Sequence, residues 1–248
     1  MKLNELNAYL SQIMQPGRFT DYCPNGLQIE GKLDIHKIVT GVTASYDLIQ
    51  AAIESKADAI LVHHGYFWRG ESQVLTGSKK RRIQTLLEHD ISLFAYHLPL
   101  DAHPVYGNNV MLGQQLGLDI TRWLDDKGML ACSELAHPMT LEALIEQVKL
   151  ALNRSTQTIG DPSRLVKTVA WCTGAAQGYI DQAIAAEVDV YISGEISEQT
   201  VHAVRESNTA YIAAGHHATE RYGVKALGEH LAQMFSISHE FIDIDNPV

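Results

Sequence analysis

Cysteine is scarce: the 248 residues contain only Cys23, Cys132 and Cys172. They are odd in number and far apart, which argues against a disulfide framework and against a thiolate zinc site, and a cytoplasmic location is expected. Long apolar runs are missing as well. Stretches such as residues 59–62 are far below the ~18 residues of a membrane span. Glu5 and the polar residues around it make the N-terminus unlike a signal peptide. Positive charge is also in short supply. With Lys+Arg 19 against Asp+Glu 29, the net charge is −10 at pH 7. No broad cationic surface remains to displace counterions from a nucleic-acid backbone. A small nucleotide held through a metal ion escapes that objection. At 46% hydrophobic and 19% charged, the composition is that of a globular protein, and the length suits one large or two small domains.

What the chain does have is histidine, 12 residues in all. His63, His64, His97, His216 and His217 fall at the ends of three apolar runs, and the others are scattered. Leu3, Leu6, Leu10 and Ile13 have helical spacing, closed by Pro16 and Gly17. Residues 37–43 and 58–62 read as strands, with an amphipathic helix over 46–56 between them. A loop at 65–78, a helix at 80–89 and a strand at 91–96 follow. Pro99 and Pro104 punctuate the next loop, before a helix at 108–116. The stretch 122–137 is the weakest and reads as an inter-domain junction. The second half alternates again: a helix at 141–152 capped by Thr140, strand 166–172, helix 177–186, strand 188–192, helix 198–206, strand 209–214, helix 218–233 and strand 236–243. This alternation implies an α/β fold with largely parallel sheets.

Residues 37–64 and 168–195 repeat one another at an offset of 131. Ile49 meets Ile180, Ala52 meets Ala183, Ile53 meets Ile184, Asp58 meets Asp189, and His64 meets Glu195. At an offset of 119, His97 meets His216 and Asp101 meets Glu220. A duplication giving two α/β halves related by a pseudo-dyad is expected. The halves are 1–125, carrying His63, His64 and Asp101, and 126–248, carrying His216 and Glu220, with a metal site at their interface.

Ligands in open α/β folds bind beyond the carboxyl ends of the strands. His63-His64, His97 with Asp101, and His216-His217 with Glu220 all sit there. His216 and Glu220 are four apart and share a helix face. Imidazole plus carboxylate, without thiolate, suits Zn, Mn, Fe, Co or Ni. This is more than one catalytic ion needs, so two divalent transition-metal ions per chain are expected. Spacing alone leaves His216 and His217 open. Glu195 and His97 are candidate catalytic residues or outer supports of the ligands, with His97 favoured as a support. His103 is a weaker candidate. Asp21, Asn25 and Gln28 read as turn chemistry, and Cys172 as a small core residue. Lys79, Lys80, Arg81 and Arg82 read as a solvated helix face or, more sharply, as a phosphate clamp.

The segments NGLQIEG (25–31), ADAILVHHGYFWRGE (57–71), YHLPLDAHPVYGNN (96–109), YISGEISEQT (191–200) and AAGHHATERYG (213–223) resemble the Nif-three-like family, the GTP cyclohydrolase 1 type 2 homologues. The likeness also takes in IVTGVTAS (38–45) and WCTGAAQGYID (171–181), so it spans nearly the whole chain. It implies two intertwined α/β/α halves, a dinuclear metal centre in the cleft between them and a toroidal homohexamer. It also implies His63, His64, Asp101, His216 and Glu220 as metal ligands, choosing His216 over His217. By the same likeness the reaction is opening of the GTP purine ring by water, with release of formate.

Two functions follow. One is a metal-dependent hydrolase acting on a nucleotide or related heterocycle. The other is a non-enzymatic ring-shaped scaffold in which the metals lock subunits together. A DNA-encircling ring would need a locally basic lumen. No membrane partner is expected.

Overall fold

The computed structural model describes residues 1–248. In chain order the first elements are α1 (Leu3–Met14), β1 (Gly26–Ile29), β2 (Lys37–Thr43), α2 (Tyr46–Glu54), β3 (Ala59–His64), α3 (Gly77–Glu88) and β4 (Ser92–Ala95). Then come α4 (Leu98–Asp101), α5 (Asn108–Leu116), β5 (Arg122–Trp123), β6 (Ala131–Thr140), α6 (Leu141–Leu152), β7 (Gln157–Ile159) and β8 (Leu165–Trp171). The chain closes with α7 (Ile180–Ala185), β9 (Val190–Ser193), α8 (Glu198–Arg205), β10 (Ala210–Ala213), α9 (His216–Phe235) and β11 (Ser238–Phe241).

Local chemistry explains the helix starts. Ser45, Thr140 and Ser197 each accept a backbone N–H of the following turn, from Leu48, Ala143 and Thr200. This satisfies one of the donors that a helix leaves unpaired at its start. The strands β3, β4, β9 and β10 are buried at nearly every position, the continuous apolar pattern of parallel strands covered on both faces.

The chain forms two compact units, and they differ from the halves 1–125 and 126–248. One unit comprises residues 1–100 and 223–245, the other 101–222 and 246–248. The first is discontinuous because β11 runs parallel beside β2, pairing Ser238 with Lys37 and Phe241 with Thr40. Its sheet has the order β1-β4-β3-β2-β11. Its core joins Val39, Leu48, Ile49, Ile60, Val62 and Leu86. The second sheet has the order β5-β6-β8-β9-β10-β7, over a core that includes Leu112, Leu144, Val148, Trp171, Ile192 and Ile212. The expected junction at 122–137 is instead β5 and the start of β6, inside the second sheet.

Neither sheet is wholly parallel. The strands β2-β3-β4 and β8-β9-β10 are parallel, and antiparallel strands flank them: β1 against β4, β7 against β10, and β6 against β8. The repeat is therefore a repeat of topology. It extends to one half-buried device. The Asp58 carboxylate accepts the backbone N–H groups of His36 and Lys37 at 2.9 and 3.1 Å. Asp189, 131 residues on, accepts those of Lys167 and Thr168 at 2.8 and 3.0 Å. Asp58 thus holds the start of β2, and Asp189 holds the third and fourth residues of β8.

The second offset needs correcting. Ala59 pairs with Ser92, and its counterpart Val190 pairs with Ala210, so the ladders set the shift at 118. Carried past the strand ends, that register equates His97 with Gly215. The match of His97 to His216 thus includes one extra residue. No helix is long and apolar enough to cross a membrane.

Candidate metal centre

In the first unit, β3 ends on His63 and His64. His63 is fully buried and His64 half-buried. Although consecutive in a strand, their rings lie only 4.4 Å apart between centroids. His63 Nδ1 donates to the Tyr96 carbonyl at 3.0 Å, which makes Nε2 the lone-pair nitrogen. His64 Nδ1 pairs with Thr43 Oγ1 at 3.0 Å. His97, just beyond β4, brings its ring to 5.1 Å from His63 and 5.9 Å from His64. One nitrogen from each of these three residues could reach a single ion.

His97 is held by residues that the sequence assigns to a turn. Asp21 Oδ1 accepts from His97 Nδ1 at 2.7 Å, Asp21 Oδ2 accepts from Asn25 Nδ2 and Leu98 N, and Asn25 Oδ1 accepts the His97 backbone N–H at 2.7 Å. Burial alone would raise the Asp21 carboxyl. The hydrogen bonds and the His97 ring outweigh it and lower the group to about 2. Gln28 accepts from Tyr66 N and donates to Tyr66 O, fixing the loop after His64. Turn chemistry is therefore too modest a reading for Asp21, Asn25 and Gln28. Asp21, Cys23 and His97 also stand close enough to share an ion. Burial and then the Asp21 charge push the Cys23 thiol up to about 12 when no cation is bound.

In the second unit, Asp101 ends α4 and is buried. Its Oδ1 accepts from Asn108 Nδ2 at 2.8 Å and from Thr173 Oγ1 at 3.2 Å. Asn109 Nδ2 donates to the Asp101 and Met129 carbonyls, while its Oδ1 accepts Thr173 N. Sequence reasoning misses this amide network. Its trace in the sequence is the Asn-Asn pair opening α5, where two unbranched amides stand in a fully buried turn.

At the start of α9, His216 Nδ1 donates to Glu195 Oε1 at 2.7 Å, and Nε2 lies 3.1 Å from Glu220 Oε2. Burial disfavours a charged His216 ring, but Glu220 and then Glu195 outweigh it and raise the group to about 9. The loop Thr173–Gly174 shapes this pair. Gly174 has φ +69°, and a Cβ there would lie 2.0 Å from Glu220 Oε1 and 3.3 Å from His216 Nε2. Gly174→Ala is therefore expected to displace the Glu220 carboxylate and lower metal affinity by roughly 10–100-fold, besides adding about 1–2 kcal/mol of backbone strain. Metal titration followed by thermal melting separates the two effects.

The remaining candidates make contacts within their own units. His103 Nδ1 accepts from Val105 N and Tyr106 N, and its ring stacks on Tyr106. The His217 backbone N–H donates to Val248 O at 3.0 Å. Lys79 binds Ser72 O and Glu71 and lies over the Phe67 ring, and Arg81 lies 4.1 Å over the Tyr46 ring. Lys80 and Arg81 are exposed, whereas Lys79 is mostly covered and Arg82 half-buried, so the face 79–82 is solvated only in part. Cys172 is a buried core residue.

The donor set suits divalent transition metals. Imidazoles with Nδ1 engaged present Nε2, and the carboxylates are themselves anchored, which is the arrangement that orients metal ligands. Two α/β units with imidazole and carboxylate groups at the carboxyl ends of parallel strands define an α/β protein with groups positioned to hold metal ions. The chain belongs to the Duf34/NIF3 (NGG1p interacting factor 3) family, whose model matches residues 1–247. It is 52% identical over 248 residues to the GTP cyclohydrolase 1 type 2 homolog of Pseudomonas aeruginosa, covering 99% of this chain and 98% of that one. The counterpart in Vibrio cholerae is 50% identical, with 98% of each covered. Among solved structures, protein ybgI, described as of unknown function, aligns with TM-score 0.96 and 46% identity over 100% of both chains. TTHA1606 from Thermus thermophilus aligns with TM-score 0.91 and 33% identity, again over 100% of both.

Proposed function

We propose that this protein is a metal-dependent hydrolase acting on a nucleotide or related heterocycle. In this reading His63, His64, Asp101, His216 and Glu220 hold two divalent ions. The observation that carries it is the anchoring of the ligands: Tyr96 O on His63, Thr43 on His64, Glu195 on His216, and Asn108 with Thr173 on Asp101. Groups oriented in this way bind metal without reorganising. The ions would supply a bound water of lowered pKa and polarise the group attacked.

The chain's own residues divide the remaining work. Glu195 is committed to His216 Nδ1 and acts as a positioning residue. His97, oriented by Asp21, has its Nε2 available to hold or pass a proton near His63 and His64. The name shared by the Pseudomonas and Vibrio relatives supports a cyclohydrolase-type reaction on GTP. A toroidal homohexamer remains part of the proposal on the family resemblance.

The test is the metal content of protein purified without chelator, by elemental mass spectrometry, followed by a screen of nucleotides for metal-dependent hydrolysis. About two transition-metal ions per chain, with turnover lost on chelation and restored by metal, is the expected result. Protein that carries no metal and takes up none of Mn, Zn, Fe, Co or Ni refutes the reading.

A further inference from the structure

A cleft of about 500 Å³ opens within the second unit, lined by Arg154, Ser155, Thr156, Gln157, Glu195 and Gly215 among others. That volume is within the range of small-molecule sites. Its one cation is built in with care. Asn153 ends α6 in the left-handed conformation, φ 53°, and turns Arg154 away from the helix. The guanidinium then lies against the bare backbone of Gly215, where φ is +101° and a Cβ would stand 1.9 Å from Arg154 Nη1. Only glycine leaves that space.

Arg154 donates to two backbone carbonyls, Nε to Ser155 O at 3.3 Å and Nη2 to Pro247 O at 3.2 Å. Both acceptors are neutral and the bonds are long. A guanidinium carries five N–H donors in a fixed fork, and Arg154 is the one cationic side chain of a lining that also includes Glu195 and the C-terminal Val248. An oxyanion would make charge-assisted bonds about twice as strong as those to the carbonyls. The one side-chain carboxylate of the lining, Glu195, is already bonded to His216 Nδ1 at 2.7 Å, so its charge is turned toward the imidazole.

We propose that this cleft binds a phosphoryl group through the Arg154 fork, and that it receives the anionic end of the substrate handled at the His216–Glu220 pair. The second clause rests on the hydrolase reading above. The first stands without it. A phosphoryl group fits better than a carboxylate because its oxygens diverge. One pair meets the fork while another faces the polar run Ser155-Thr156-Gln157. Glu195 joins the cleft to the metal ligand His216, so a molecule anchored at Arg154 reaches toward that ligand.

The experiment titrates inorganic phosphate, and in parallel acetate, into chelator-treated protein by calorimetry. It repeats this with Arg154→Gln and Arg154→Lys, with melting temperature and metal uptake measured for each. Phosphate is expected to bind the parent chain and to weaken at least tenfold in Arg154→Gln. Arg154→Lys should fall between them, and acetate should bind more weakly than phosphate. Metal uptake should stay unchanged in both variants. Phosphate binding equally well to Arg154→Gln, or not binding the parent chain, overturns the proposal, as does acetate binding as tightly as phosphate. A protein that binds phosphate through Arg154 but takes up no metal would sink the hydrolase reading while leaving the anion site in place.

Discussion

Asp101→Ala should yield a folded protein that has lost its metal. The carboxylate is buried and receives Asn108 Nδ2 and Thr173 Oγ1 on one oxygen. Truncation removes a ligand and leaves two buried donors without that acceptor, a cost of about 1–3 kcal/mol. A chain of this size tolerates that loss, so the melting temperature falls but the circular dichroism spectrum persists. Metal per chain should fall roughly tenfold or more, and with it any hydrolysis. Asp101→Asn is the control: it keeps the side-chain shape and one acceptor oxygen but removes the charge. A full metal complement in Asp101→Ala would show that Asp101 is not a ligand.

The second large effect lies one layer deeper. Trp171 closes β8 and is fully buried in the core of the second unit. Its Nε1 donates to the Asn109 carbonyl at 2.8 Å. The indole also packs on α5 so closely that a Cβ at Gly113 would lie 2.7 Å from Trp171 Cζ2. Trp171→Ala should therefore cost about 3–5 kcal/mol in denaturant unfolding. Trp171→Phe separates packing from hydrogen bonding. It keeps an aromatic ring but deprives the Asn109 carbonyl of its partner, at about 1–3 kcal/mol. Because Asn109 also binds the Asp101 carbonyl, both variants should loosen metal binding. Unchanged metal affinity in Trp171→Phe would uncouple the core from the site.

Most of the fold is legible in the sequence wherever burial is two-sided. The strands β2, β3, β4, β8, β9 and β10 are short apolar runs, and the capped helices between them carry Ser or Thr at their starts. The strand β6 escapes because its second half is exposed and its register breaks between Glu134 and Met139, around Pro138. At three and four residues, β7 and β1 are too short to show a period. The clusters that hold the five ligand candidates are legible because strand ends collect polar groups in α/β folds, although the choice of His216 over His217 comes from the family resemblance. Their supports are not. Asp21 reaches His97 and Thr173 reaches Asp101 across more than seventy residues of chain, and no local pattern records such a meeting. The division into units is hidden for the same reason, since β11 joins β2 from the far end of the chain.

That last pairing has a consequence for synthesis. The strand β2 emerges early, but the neighbour that completes its sheet is among the last segments translated. At ordinary elongation rates the interval is on the order of ten seconds. Throughout it β2 presents an open edge, the kind of surface that recruits a foreign strand. The second unit has nearly all of its chain in hand before the first can close. The first sheet, although encoded earlier, thus receives its last strand after every strand of the second sheet has been made.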